Sequence, residues 1–169
     1  MNTLAYRLWQ VRQQLGFAPP LTSEERFEVA RWLPETALSL FESMSHADQR
    51  HSLRVCQGLQ ARGCSDKEML AAALLHDVGK AEGRVPFWTR PVIVLGKRCA
   101  PRLLARLAVY PRAGQAHWRR SLSNAWWHAE IGADMAAAAG LSERAVLYIR
   151  THHQPNGPAA ELHLVDEAS

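Results

Sequence analysis

Seven side chains in this sequence have the types and order needed to hold divalent metal ions. They are His51, the pair His76-Asp77, His128, the pair His152-His153, and Asp166. Imidazole nitrogen and carboxylate oxygen together suit zinc, iron or manganese. The centre of the set is His76-Asp77, which follows the small and apolar run Ala71-Ala72-Ala73-Leu74-Leu75. An aspartate at the end of such a run is costly to bury unless something pairs with it, and a divalent cation is one such partner. One His-Asp dipeptide alone carries little weight, because two neighbouring residues recur by chance. The other candidates raise it. They fall on separate expected helices, and consecutive helices of a compact bundle can turn such residues inward to one site. Lys80 follows Asp77 by three residues. Gly79 lets the backbone approach closely at that turn.

The elements that must position these residues read as helices. Leu4, Leu8, Val11 and Leu15 share one face of a short helix, which Pro19-Pro20 ends. Thr22 with Glu25 predicts a capping box and a helix to about Leu33. Pro34 fits the first turn of a helix reaching about Met44. Ser45 caps a helix to about Arg62, closed by Gly63, with Leu53, Cys56 and Leu59 toward the core. Ser65 with Glu68 predicts a second capping box, opening a helix over about 66–77. Residues 81–91 are expected to be loop, 92–109 helical with a break near Pro101, and 111–121 irregular. Helix returns over about 122–139 and stops at Gly140. Ser142 caps another helix to about Thr151, and a last one covers about 159–168. No segment has the sustained period-two alternation of a sheet. The fold class expected is all-α, a compact single-domain helical bundle.

The order His51, His76-Asp77, Asp166 resembles the H…HD…D signature of the HD superfamily of metal-dependent phosphohydrolases. Leu74-Leu75-His76-Asp77-Val78-Gly79-Lys80 is similar to its LLHDIGK element. His128-Ala129-Glu130-Ile131-Gly132-Ala133 resembles the HPEIGA segment of two-metal phosphodiesterases, including the HD-GYP group, and Ile149-Arg150-Thr151-His152-His153 their I..HH segment. Residues 48–55 are similar to a group of small bacterial HD-domain proteins. The resemblance covers about 45–168. It implies an HD-type bundle over 45–169, with a basic insert at about 84–120, and N-terminal helices over 1–44 packed on it. It also implies that His51, His76, Asp77 and Asp166 hold one metal, and that Asp77 bridges to a second held by His128 and His152. The ions expected are iron or manganese, with zinc, magnesium, cobalt and nickel also able to fill such sites. A hydroxide shared by the two metals would attack phosphorus. Asp77 and Lys80 would then be the catalytic residues, with Lys80, His153 and Arg84 contacting the substrate. For His153 the roles of ligand, substrate contact and solvated helix end stay open.

The implied activity is hydrolysis of a nucleotide or other small phosphate ester. Two other readings stand beside it: a mixed-valence di-iron oxygenase using the same ligands, and a nucleotide-binding HD signalling module without turnover. The chain departs from the pattern it resembles in places. Gln154-Pro155-Asn156-Gly157-Pro158 stands where HD-GYP proteins carry Gly-Tyr-Pro, which argues against cyclic di-GMP. Ala47 occupies the position of a glutamate that serves a third metal in some of them. Gly79-Lys80-Ala81-Glu82 lacks the acidic pair of the alarmone hydrolases.

Composition bounds the rest. With 169 residues, 47% hydrophobic and 21% charged, the chain suits one globular domain with its own core. Three cysteines, an odd number with no CxxC pair, fit thiols in a reducing compartment rather than a disulfide framework. No basic leader precedes an apolar block at the N-terminus. The most apolar run, Val92-Ile93-Val94-Leu95, is far shorter than the roughly 20 residues needed to span a bilayer. A cytoplasmic location is expected. The net charge is +4, and between Glu82 and Glu130 nine basic residues face no acidic one. Such a segment favours an anionic partner. It is too apolar for a nucleic-acid arm, so no stable nucleic-acid complex is expected. It could lid the site, hold substrate phosphates or touch a membrane surface peripherally. His46, His117 and His163 are expected at the surface, and the six tryptophans in the core or at interfaces. The sequence carries no signal of oligomeric state.

Overall fold

Thr22 opens the first helix, α1 (Ser23–Ala30), in the way its spacing to Glu25 predicts. Its hydroxyl accepts from the Glu25 N–H at 3.2 Å, and the Glu25 carboxylate accepts from the Thr22 N–H at 2.7 Å. The structure is a computed structural model that describes residues 18–83, Tyr110 and residues 117–169. The expected helix from Leu4 to Leu15, Arg84, Cys99 and most of the basic segment lie outside the described residues.

Behind the extended Pro34, α2 (Glu35–Glu42) begins one residue later than expected. α3 (His46–Ala61) is capped by Ser45, which accepts from the Asp48 N–H at 3.2 Å, and Gly63 follows it at φ 89°, a left-handed conformation that favours glycine. The capping box expected of Ser65 and Glu68 does not form. Asp66 is the cap of α4 (Lys67–Leu75), accepting from the Glu68 N–H at 3.0 Å. The Glu68 carboxylate is engaged elsewhere, by the Ser142 hydroxyl. After α4 the chain tightens into a 3-10 turn, Val78–Gly83, reaching three residues into the expected loop. α5 (His117–Ala138) starts five residues before the expected 122, because the breakers Pro111 and Gly114 both lie ahead of it. Ser142 caps α6 (Glu143–Thr151) through the Ala145 N–H, and α7 (Ala160–Ala168) ends the chain.

All described elements are helical, with no strand among the described residues, so the all-α expectation holds. The core sits around α4, where every residue from Met69 to Leu75 is buried. Its alanines let α3 and α6 approach it from two sides. α5 packs on the 3-10 turn and on α6, and α7 packs on α3. Leu59, Leu70, Leu74, Leu75, Ile149 and Leu162 are fully buried, each stabilising the fold by about 1.5–3 kcal/mol. Cys56 is a buried core thiol, which burial pushes up to about 12, and Cys64 is half-buried. Among the described residues no helix is long and apolar enough to cross a membrane.

Candidate metal centre

Three imidazoles are held by one device. His76 caps the C-terminus of α4, His152 caps that of α6, and His128 lies inside α5. Each places Nδ1 against the backbone carbonyl three residues before it: Ala73 at 2.8 Å, Ile149 at 2.7 Å and Ala125 at 2.9 Å. A carbonyl only accepts, so each ring carries its proton on Nδ1 and turns Nε2 toward the site. All three rings are buried, His76 and His152 completely.

These nitrogens meet the carboxylates in one continuous set. Asp77 Oδ2 lies 3.7 Å from His76 Nε2, and Asp77 Oδ1 lies 3.6 Å from His128 Nε2. Asp166 Oδ1 lies 3.5 Å from His76 Nε2 and accepts a 2.9 Å hydrogen bond from His51 Nε2. His153 Nε2 lies 2.9 Å from His128 Nε2, with its ring 3.9 Å from that of His152. All seven sequence candidates on the described residues therefore gather in one place. Donor atoms of six of them form two groups, each within 4.8 Å: His51, His76 and Asp77, and His128, His152 and His153. His153, left open by the sequence, joins the second group although the residue is exposed.

The donor set fits divalent ions. Two donors each about 2.1 Å from one ion, subtending 90–120°, stand about 3.0–3.6 Å apart, close to the separations found here. Nε2 of His76 and of His152 is buried with no hydrogen-bond partner, an orphaned lone pair that a cation would satisfy. The second-sphere bonds from Nδ1 to backbone are those that orient metal-binding imidazoles.

Charge is arranged to match. Burial alone would raise Asp77, but Lys80 first, then His76 and His128, hold its carboxyl well below the usual range. Burial likewise opposes ionisation of Asp166, and the His51 hydrogen bond and nearby His76 overcome it. Burial lowers His76, yet Asp77 and then Asp166 outweigh this and raise it, so both carboxylates favour positive charge at that spot. His128 falls to about 3 and His152 to about 2, mainly from burial, which keeps both neutral and ready to donate a lone pair. Lys80 Nζ pairs with Asp77 Oδ2 and is 23% exposed at the side chain, at the edge of the set.

Gly79 is what lets α5 reach the 3-10 turn. A Cβ there would stand 2.1 Å from the His128 carbonyl oxygen and 2.8 Å from the Gly132 nitrogen. The close approach expected of Gly79 is therefore against the helix that carries His128.

Two residues of this region were not singled out for the site. His163, expected at the surface, is half-buried, and its Nδ1–H donates to the His152 carbonyl at 3.1 Å. Its spacing of three residues from Asp166 was the available signal. Asn124, one turn before His128, is buried with its amide unpartnered among the described residues, and no sequence signal marked it. His46 is exposed, as expected. Trp126 and Trp127 are half-buried, and Trp127 meets the Tyr110 ring at 5.8 Å. A cavity of about 270 Å³ lined by Leu21, Val29, Phe41 and Gln49 among others contains none of the metal-centre residues. No protein-family model, no curated protein and no solved structure matches this chain.

Proposed function

We propose that this protein is a metal-dependent phosphohydrolase or phosphodiesterase acting on a nucleotide or other small phosphate ester. One observation carries the reading. Buried, unpartnered Nε2 atoms of His76, beside Asp77, and of His152, with its ring 5.1 Å from that of His76, lie within a continuous set of imidazoles and carboxylates. The resemblance of His51, His76-Asp77, His128, His152 and Asp166 to the HD-superfamily pattern supports it.

In this reading His51, His76, Asp77 and Asp166 hold one divalent ion, iron or manganese first. Asp77 would also serve a second ion, which His128 and His152 would hold with His153 beside them. A pair of such ions lowers the pKa of bound water and clamps phosphoryl oxygens. The chain's own contributions are orientation and charge. The Nδ1 bonds fix three rings so that their lone pairs converge without rotamer search. Lys80, half-exposed beside Asp77, can turn from that carboxylate to a phosphate oxygen and offset charge developing there. His76, Asp77, His128 and His152 are buried, while Lys80, His51, Asp166 and His153 form the partly exposed edge of the set.

The test is metal analysis of the freshly purified protein, followed by a panel of nucleotides and phosphate esters with Mn²⁺ or Fe²⁺ added. Asp77→Ala is expected to abolish both metal retention and hydrolysis. Full activity of that variant on the substrate found would end the reading. Oxygen consumption by the iron-loaded protein without phosphate release would replace it with an oxygenase.

A further inference from the structure

His163 and Asp166 sit three residues apart on α7 and so share one helical face. Asp166 reaches the first ligand group, at 2.9 Å from His51 and 3.5 Å from His76. His163 reaches the backbone of the second. Its Nδ1–H donates to the carbonyl of His152, the residue that caps α6 and presents its Nε2 to the site. That carbonyl lies past the last turn of the helix, where backbone acceptors have no partner within the helix itself. The same peptide joins His152 to His153, whose Nε2 meets His128 Nε2 at 2.9 Å. A bond that fixes this peptide therefore fixes the direction of two imidazoles at once.

We infer that His163 is a positioning residue for the second metal ion, acting through the His152 carbonyl and not as a ligand. The inference rests on the two-ion reading above. His163 anchors the end of α6 to α7, so the element that supplies Asp166 to the first ion also sets the geometry of the second. Loss of the bond frees the His152–His153 peptide to rotate. His152 then keeps its ring bond to Ile149 but loses the fixed direction of its Nε2 relative to His128.

The experiment is a chelator-competition titration of the full chain with Mn²⁺, repeated with Co²⁺, whose absorption spectrum reports ligand geometry. Three proteins are compared: wild type, His163→Leu, which removes the donor, and His163→Asn, whose amide N–H stands near the position of Nδ1. Second-sphere partners of metal-binding histidines are worth about 10–100-fold in affinity. His163→Leu is expected to weaken one of the two ions by about that factor, leave the other within about threefold, and change the Co²⁺ spectrum of the weakened site. His163→Asn is expected to restore both. Equal affinities in wild type and His163→Leu would overturn the inference while leaving the two-ion reading intact. So would an equal loss at both ions, or an Asn variant as weak as the Leu variant, since either would point to ring packing and not to the hydrogen bond. A wild-type protein that binds no second ion removes this inference together with the two-ion reading. Melting of the chelated proteins, read by circular dichroism, checks that each variant is folded before titration.

Discussion

Replacing Gly79 by alanine tests whether the backbone contact between the 3-10 turn and α5 builds the metal centre. The new methyl would stand 2.1 Å from the His128 carbonyl oxygen, and both partners in the clash are backbone, so no side chain can swing away. Relief to an ordinary 3.4 Å needs an opening of about 1.3 Å. Overpacking of this kind costs about 3 kcal/mol, which for a chain of this length lowers the melting temperature by about 6–12 °C. The local consequence is sharper. Asp77 Oδ1 and His128 Nε2 now stand 3.6 Å apart. Two donors of one ion, each about 2.1 Å from it, cannot be more than about 4.2 Å apart. Movement of α5 by about 1.3 Å along that vector would take the pair to about 4.9 Å, beyond the reach of a shared ion. In the two-ion reading, Gly79→Ala is therefore expected to lose the ion proposed between Asp77 and His128 while retaining the one proposed at His51, His76 and Asp166. Gly132→Ala, whose Cβ would meet its nearest neighbours at 3.2–3.6 Å, is the mild control. Metal content by mass spectrometry and melting by calorimetry measure both effects. A Gly79→Ala protein that melts with wild type and binds both ions equally well would refute this account of the contact.

Stability of the chelated protein is expected to fall as the pH drops below 6.5. His128 and His152 stay neutral in the fold down to about 3 and about 2 because they are buried, while in the unfolded chain they take up protons near 6.5. Each then removes up to about 1.4 kcal/mol per pH unit below 6.5. His76, raised in the fold, works the other way and loses its contribution only as the pH rises above 6.5, so it offsets nothing in acid. Together this amounts to about 2 kcal/mol between pH 6.5 and 5.5, or about 4–8 °C. A melting temperature that stays flat from pH 7 to pH 5 contradicts the buried neutral state. Lys80→Met is expected to lower kcat by about 10²–10³-fold on the substrate found, with both ions retained. Unchanged kcat, or loss of metal in place of kcat, would remove Lys80 from the reaction.

What the sequence disclosed follows the range of the forces involved. Caps and stops are set by residues three or four apart, so Thr22, Ser45, Ser142, Gly63 and Gly140 all mark the helix ends they were expected to mark. The second capping box failed for a reason that no local window contains. Asp66 competes for the cap from the next position, and the Glu68 carboxylate bonds Ser142, 74 residues away. The 3-10 turn after His76 is likewise a tertiary product, since it presents Gly79 to a helix that begins 38 residues later. The candidate metal-centre residues were legible because ligand-type residues recur on several separate expected helices, in an order that resembles the HD-superfamily pattern. His163 was not, because it contributes nothing to the site except a bond to another residue's backbone. Its i, i+3 spacing to Asp166 was visible, but a spacing shows only that two residues share a face.

The two ligand groups differ in how they would attract an ion. The first holds the Asp77 carboxylate and has the Asp166 carboxylate against its His51 and His76, both kept ionised. The second has three imidazoles and only a share of Asp77. Coulombic attraction falls off slowly with distance, so a doubly negative site tolerates small errors in placement. Neutral nitrogen donors offer little attraction beyond bonding distance and must already point at the ion. An ion in the second group also faces the repulsion of the first. Geometry has to replace charge there, and the devices that enforce geometry are concentrated there. His128 and His152 are both fixed through Nδ1, Gly79 brings α5 against the turn that carries Asp77, and His163 holds the peptide between His152 and His153. In the first group only His76 has a comparable bond to its own helix, while His51 is held by the Asp166 carboxylate itself. The burden of positioning therefore falls on the half of the centre with the least charge, which is why the substitutions at Gly79 and His163, far apart in sequence, are expected to converge on the same ion.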